Sequence, residues 1–190
     1  IGCGPGFASV DLAEVVGDKG EVLGIERSER FIAHAEALCA SRGLKNVSFQ
    51  HADVMLDVFA VQGADAIWCR WLAIFVSDPG LLVRKMAAAV KPGGRLVFRE
   101  YVHYETYQSD PHSAHLEQFV QHVMDSWRAF GGEPNVARTL PGHLAAAGCR
   151  LIETRRISFS AQPHQPVWRW EASLIDINLQ RMLALGQVDE

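Results

Sequence analysis

Three glycines at alternate positions, Gly2, Gly4 and Gly6 within Ile-Gly-Cys-Gly-Pro-Gly-Phe, constrain this chain more than any other feature. Lacking a Cβ, glycine takes positive φ and lets a backbone pass close to a ligand where any other residue would collide. Behind them, Ala8, Val10, Leu12, Ala13 and Val16 fall at helical spacing, so the run sits where a strand should turn into a helix. A tight strand-to-helix turn with no ligand would use the same residues. The motif in this context points to a nucleoside held against the loop.

The rest of the chain alternates short apolar runs with amphipathic stretches, the pattern of βαβ units joined into a largely parallel sheet. Strands are predicted over 20–26, 47–51, 64–71, 95–101 and 151–160. Helices are predicted over 29–42, 81–90, 112–130, 140–147 and 168–185, with Gly43 as a helix stop and 91–94, Lys-Pro-Gly-Gly, as a stop and turn. On the 112–130 helix, Leu116, Phe119, Val120, Val123, Met124, Trp127 and Phe130 share one face, which favours core for Trp127. The sequence opens directly on the glycine loop, where such a fold calls for a strand. The first strand, and a last one after the final helix, are therefore expected to lie outside this sequence. The chain reads as one domain over 1–190, with a cofactor-binding half over 1–101 and an acceptor-binding, lid-forming half over 102–190.

Composition narrows the partners. At 190 residues, 48% apolar and 21% charged, the chain is an ordinary globular length and mixture. Its net charge of −4, with no basic cluster, lacks the footprint of a nucleic-acid binder. Its apolar runs fall short of the roughly 18 residues of a membrane span, and no signal peptide is recognisable. Cys3, Cys39, Cys69 and Cys149 are scattered with no C-x-x-C pair, which suits thiols in a reducing compartment and gives the cytoplasm as the expected location. His112, His115 and His122 lack the carboxylate or cysteine that would complete a ligand set, so no metal is expected.

In an open α/β sheet, ligands bind beyond the carboxyl ends of the strands, where strand order reverses. The Gly2–Gly6 loop, Glu26, Ala52-Asp53 and Arg70-Trp71 all end predicted strands. Glu26, about twenty residues past the glycines, is placed to accept from ribose hydroxyls; its other reading is a solvated strand-end charge. Asp53 is placed either to accept from an adenine amine or to cap the short turn that follows it.

Taken together, IGCGPG, Glu26, HAD at 51–53, GADAIWCRW at 63–71 and KPGGRLVF at 91–98 resemble the class I S-adenosylmethionine-dependent methyltransferases. The resemblance covers residues 1–101. It implies a Rossmann-like, doubly wound, mostly parallel sheet of the seven-strand type with helical lid elements in the C-terminal half. By the same resemblance, Gly2, Cys3, Gly4 and Gly6 lie against the amino-acid part of S-adenosylmethionine, and Glu26 binds the ribose. Ala52, Asp53 and Val54 flank the adenine, with Arg27 outside it or merely a surface charge, while Arg70 and Trp71 line the methionine pocket. The acidic residue that usually precedes the glycines in that family is missing, which leaves the cofactor's amino group without an assigned partner.

The expected activity is methyl transfer to a small organic acceptor, leaving S-adenosylhomocysteine. His103 and Tyr104, just past the strand ending at Tyr101, are the candidates for acceptor contact or proton removal, against the plainer reading of His103 as a loop residue. Tyr101, Tyr104, Tyr107, Trp127, Trp168 and Trp170 suit either a lid or a core. The N-P-P-Y motif of amino-directed nucleic-acid and protein methyltransferases is replaced by Arg70-Trp71-Leu72-Ala73. Two other functions compete. An NAD-dependent oxidoreductase would need glycine where Phe7 stands, and a non-catalytic domain of the same fold would bind a nucleoside or partner without turnover. Neither the methylated atom nor the oligomeric state follows from these residues.

Overall fold

The computed structural model describes residues 1–186 and builds them as alternating helices and parallel strands. In chain order the elements are α1 (Phe7–Val16), β1 (Val22–Glu26), α2 (Glu29–Ser41), β2 (Val47–His51), β3 (Ala64–Arg70), α3 (Pro79–Ala89), β4 (Val90–Arg99), α4 (Ala114–Ala129), α5 (Leu140–Ala146) and α6 (Pro166–Ala184). Local chemistry sets several boundaries. Ser28, Asp78 and Ser113 each accept from a backbone N–H three residues on, capping α2, α3 and α4, and Pro79 occupies the first turn of α3, where its missing N–H costs nothing. Gly43, at φ 68°, closes α2 in the left-handed region.

β1 pairs in parallel with β2, from Val22 with Val47 to Glu26 with His51. β3 pairs in parallel with β4, from Ala66 with Arg95 to Arg70 with Arg99. Residues 91–94, expected as a stop and turn before the strand, instead belong to β4: Val90 already pairs with Ala64, and the Lys-Pro-Gly-Gly run, with Gly93 at φ 79°, is an irregularity in the ladder before Arg95 pairs with Ala66. The two pairs are joined by the first residues of the chain: the Ile1 nitrogen donates to the Trp68 carbonyl at 2.7 Å and the Cys3 N–H to the Ile25 carbonyl at 3.1 Å. Ile1–Cys3 thus lies between β1 and β3, and from there the strand order runs outward in both directions. That reversal is the crevice where α/β folds bind ligands.

The core gathers Ile25, Ile67 and Cys69 of the strands with Leu82, Val83 and Met86 of α3 and Val120, Val123, Met124 and Trp127 of α4. Trp127 is therefore core, as its helical face predicted. Phe130, expected on the same face, is 63% exposed because α4 ends one residue before it; the Arg181 guanidinium lies over its ring. The strand predicted over 151–160 does not form. A strand's backbone groups need a partner, and among the described residues 151–160 pairs with nothing and is exposed. The strand expected after α6 falls outside the described residues. No described helix is long and apolar enough to cross a membrane.

Candidate functional site

The three glycines of the loop have three different reasons to be glycine. All take left-handed φ, 60° at Gly2, 53° at Gly4 and 91° at Gly6. A Cβ on Gly6 would stand 2.6 Å from the Cβ of Ala35, so this residue lets α1 start against α2. A Cβ on Gly2 would stand 2.9 Å from a methyl of Leu72, so Gly2 packs against the turn that follows β3. A Cβ on Gly4 would meet nothing within 4 Å. Gly4 is the position at which the loop turns a bare backbone toward open space, and a ligand could lie against it.

Glu26, at the end of β1, is tied to that same residue. Its Oε2 accepts from the Gly4 N–H at 3.0 Å, while Oε1 accepts from the N–H groups of Arg27 at 2.9 Å and Ser28 at 3.0 Å. A carboxylate offers about four acceptor positions, so three are filled by the chain and one, on Oε2, remains for a ligand hydroxyl beside Gly4. Cys3 is an inert neighbour, since burial and the Glu26 charge push its thiol up to about 11.

Asp53 performs the capping role that was one of its two readings: Oδ1 accepts from the Met55 N–H at 2.8 Å. Its Oδ2 lies 3.9 Å from the exposed Arg27 guanidinium. The side chains of Ala52 and Val54 are buried in the core, so what this segment offers a ligand is its backbone and the outer edge of Asp53. Lys85 of α3 fastens the turn by donating to the carbonyls of Val54 at 2.5 Å and Asp57 at 2.6 Å.

At the end of β3 the chain turns sharply through Trp71, at φ 52°, whose N–H donates to the Arg99 carbonyl at 3.1 Å. Its ring stacks with Tyr101 at 5.8 Å and with Trp170 of α6 at 4.9 Å, and the Arg70 guanidinium lies 4.9 Å from its centroid. Tyr101, Tyr104, Tyr107 and Trp127 continue the cluster through further ring contacts. Of the aromatic residues singled out in the sequence, these and Trp170 converge on Trp71, whereas Trp168 lies outside and is 41% exposed. Burial raises the phenols of Tyr101, Tyr104 and Tyr107, and the carboxyl of Glu171, which faces Tyr107, is also raised by burial.

His103 takes φ 56° and opens a turn pinned to residues 133–138. Its Nδ1 lies 2.8 Å from Arg138 Nη2. The same nitrogen lies 3.3 Å from Glu105 Oε1, so the ring sits between the Arg138 guanidinium and the Glu105 carboxylate. Asn135 accepts from the Tyr104 N–H at 2.8 Å and donates to Glu105 at 2.7 Å; Glu105's own backbone N–H and the Asn135 amide hold the Glu105 carboxyl down at about 2. The Tyr104 ring is buried against Tyr101 and Trp127.

Sequence reasoning missed Glu100. Leaving β4, its Oε1 accepts from the N–H groups of Leu72 at 3.0 Å and Ala73 at 2.9 Å, and burial pushes its carboxyl up to about 7. The rule that picked out Glu26, an acidic residue where a strand ends, would have found it.

A family model described as a methyltransferase domain matches residues 1–152. Aklanonic acid methyltransferase DauC of Streptomyces sp. (strain C5) is 32% identical over 98 residues, 52% of this chain and 44% of that protein. Ubiquinone biosynthesis O-methyltransferase of Coxiella burnetii (strain RSA 493 / Nine Mile phase I) is 34% identical over 98 residues, 52% of this chain and 40% of that protein. The chain thus covers less than half the length of these relatives. A solved SAM-dependent methyltransferase from Aquifex aeolicus shares the fold, with a TM-score of 0.59 at 20% identity over 80% of this chain and 71% of that one.

Proposed function

Because this chain belongs to the methyltransferase-domain family, we propose that it uses S-adenosylmethionine to methylate a small organic acceptor. One observation carries the reading: Gly4 presents a bare backbone to open space, and its N–H is held by a Glu26 carboxylate with an acceptor position left for a ribose hydroxyl. A dinucleotide is disfavoured by Phe7, 58% exposed where a third fingerprint glycine would stand.

S-adenosylmethionine, when bound, supplies an electrophilic methyl carbon on a sulfonium. The chain's own share is positioning. Gly2, Cys3, Gly4 and Gly6 carry the amino-acid portion along the loop, Glu26 holds the ribose, and Asp53 with the backbone of Ala52 and Val54 borders the adenine on the side of Arg27. Arg70 and Trp71 wall the methionine end. Holding donor and acceptor in a near-attack geometry contributes about 7–11 kcal/mol to such a reaction. Tyr101, Tyr104 and Trp170 form the apolar side from which water is excluded. His103, with Nδ1 against both Arg138 and Glu105, fixes the turn that carries Tyr104.

A small acceptor is supported by the net charge of −4 with no basic patch, and by two relatives whose names concern aklanonic acid and ubiquinone biosynthesis. The four free cysteines suit a cytoplasmic setting. Calorimetric titration with S-adenosylhomocysteine tests the reading: saturable one-to-one binding is expected, and no heat with either that compound or S-adenosylmethionine would overturn it.

A further inference from the structure

Three consecutive backbone amides after β3 are all satisfied by the end of the neighbouring strand. The Trp71 N–H donates to the Arg99 carbonyl, and those of Leu72 and Ala73 both donate to Oε1 of Glu100, at 3.0 and 2.9 Å. The Cys69 thiol, 3.6 Å away, donates to the same oxygen, while Oε2 is buried with no partner among the described residues. Glu100 therefore fills the inside of a turn that would otherwise bury two unsatisfied donors.

That turn meets the cofactor site twice. Trp71, held at left-handed φ, carries the ring that stacks with Tyr101 and Trp170. Leu72 is the residue whose methyl lies where a Cβ on Gly2 would fall, so it backs the glycine loop directly. We propose that Glu100 is a positioning residue for the cofactor site, fixing Trp71–Ala73 so that Trp71 walls the methionine end and Leu72 braces Gly2. This rests on the reading that the chain binds S-adenosylmethionine. Glu100 touches no ligand in this scheme and acts only through the turn.

The test is S-adenosylhomocysteine affinity by calorimetry at about pH 8, where the carboxylate is ionised. Glu100→Ala removes the acceptor and is expected to raise Kd about tenfold or more, whereas Glu100→Gln, whose carbonyl still accepts both amides, stays within about threefold. In a Leu72→Ala background, Glu100→Ala should cause a smaller further loss than in wild type, because the brace on Gly2 is already gone and only the hold on Trp71 remains; a purely structural defect would add in full. Should Glu100→Ala fail to fold, Glu100→Met keeps the volume without the acceptor and carries the same expectation. A folded Glu100→Ala or Glu100→Met that binds as wild type, a Gln variant as weak as Ala, or additive losses with Leu72→Ala would overturn the role of Glu100 alone. A wild-type chain that does not bind overturns the cofactor reading as well.

Discussion

At the scale of single residues, two carboxylates at strand ends are held in different surroundings. Glu26 closes β1 with three backbone donors on its carboxylate. Replacing it with alanine leaves the Gly4 N–H without its acceptor and, on the proposed reading, removes a charge-assisted partner of the ribose. S-adenosylhomocysteine binding should weaken by about 1.5–3 kcal/mol in a calorimetric titration, while the far-ultraviolet circular dichroism stays that of wild type. Glu100 is partly buried, with its Oε2 out of solvent, and desolvation raises its carboxyl from 4.5 to about 7. Between those values the folded chain holds a proton that the unfolded chain has released. The stability this contributes is present below the unfolded value and lost as pH climbs through the folded one. The full span is about 3 kcal/mol. Glu100→Gln cannot ionise, so its unfolding midpoint should exceed that of wild type near pH 8 and converge with it near about pH 5. A constant gap across that range would show that the charge is not the cause. Cys69, the titratable group nearest Glu100, is pushed far up by its own burial and stays neutral throughout.

At the scale of elements, the glycine loop separates what folds the chain from what binds a ligand. Gly6→Ala sets a Cβ 2.6 Å from the Cβ and 2.9 Å from the Cα of Ala35, at a φ that already disfavours a side chain. Strain and overpacking together should cost about 3 kcal/mol in denaturant unfolding. Gly4→Ala meets no atom, so it should cost only the backbone term of about 1–2 kcal/mol, yet abolish measurable S-adenosylhomocysteine binding because its methyl occupies the ligand's space. If Gly4→Ala binds normally, the open side of Gly4 is not the site. The loop, Glu26 and the ends of β1, β2 and β3 were legible in the sequence because each is a local signal: a glycine run, an apolar stretch, a strand-end acid. The strand expected over 151–160 had the right local composition, but a strand exists only with a partner, and composition cannot supply one. The burial of Ala52 and Val54 depends on a turn pinned from α3 by Lys85, 28 residues beyond Asp57. Contacts made across that separation leave no periodicity to read.

At the scale of the whole molecule, the strand order explains why residues distant in sequence share one crevice. Ile1–Cys3 lies between β1 and β3, so the glycine loop, Glu26 and the turn at Trp71 emerge side by side from neighbouring strand positions. A ligand seated there would touch the connections on both sides of the reversal and bind only the folded chain. By mass action, ligand at about 100 times its Kd then adds about 2.7 kcal/mol to folding stability. For a chain of this size each kcal/mol moves the melting midpoint by about 2–4 °C, so S-adenosylhomocysteine should raise Tm by about 5–10 °C. NAD, offered at the same concentration, shares the adenosine but carries a pyrophosphate in place of the amino-acid arm. The loop it would meet has Phe7 at the fingerprint position, so Tm should not move. A shift with NAD matching that with S-adenosylhomocysteine would mean that the crevice recognises adenosine alone, and the assignment of the loop to the amino-acid arm would fall.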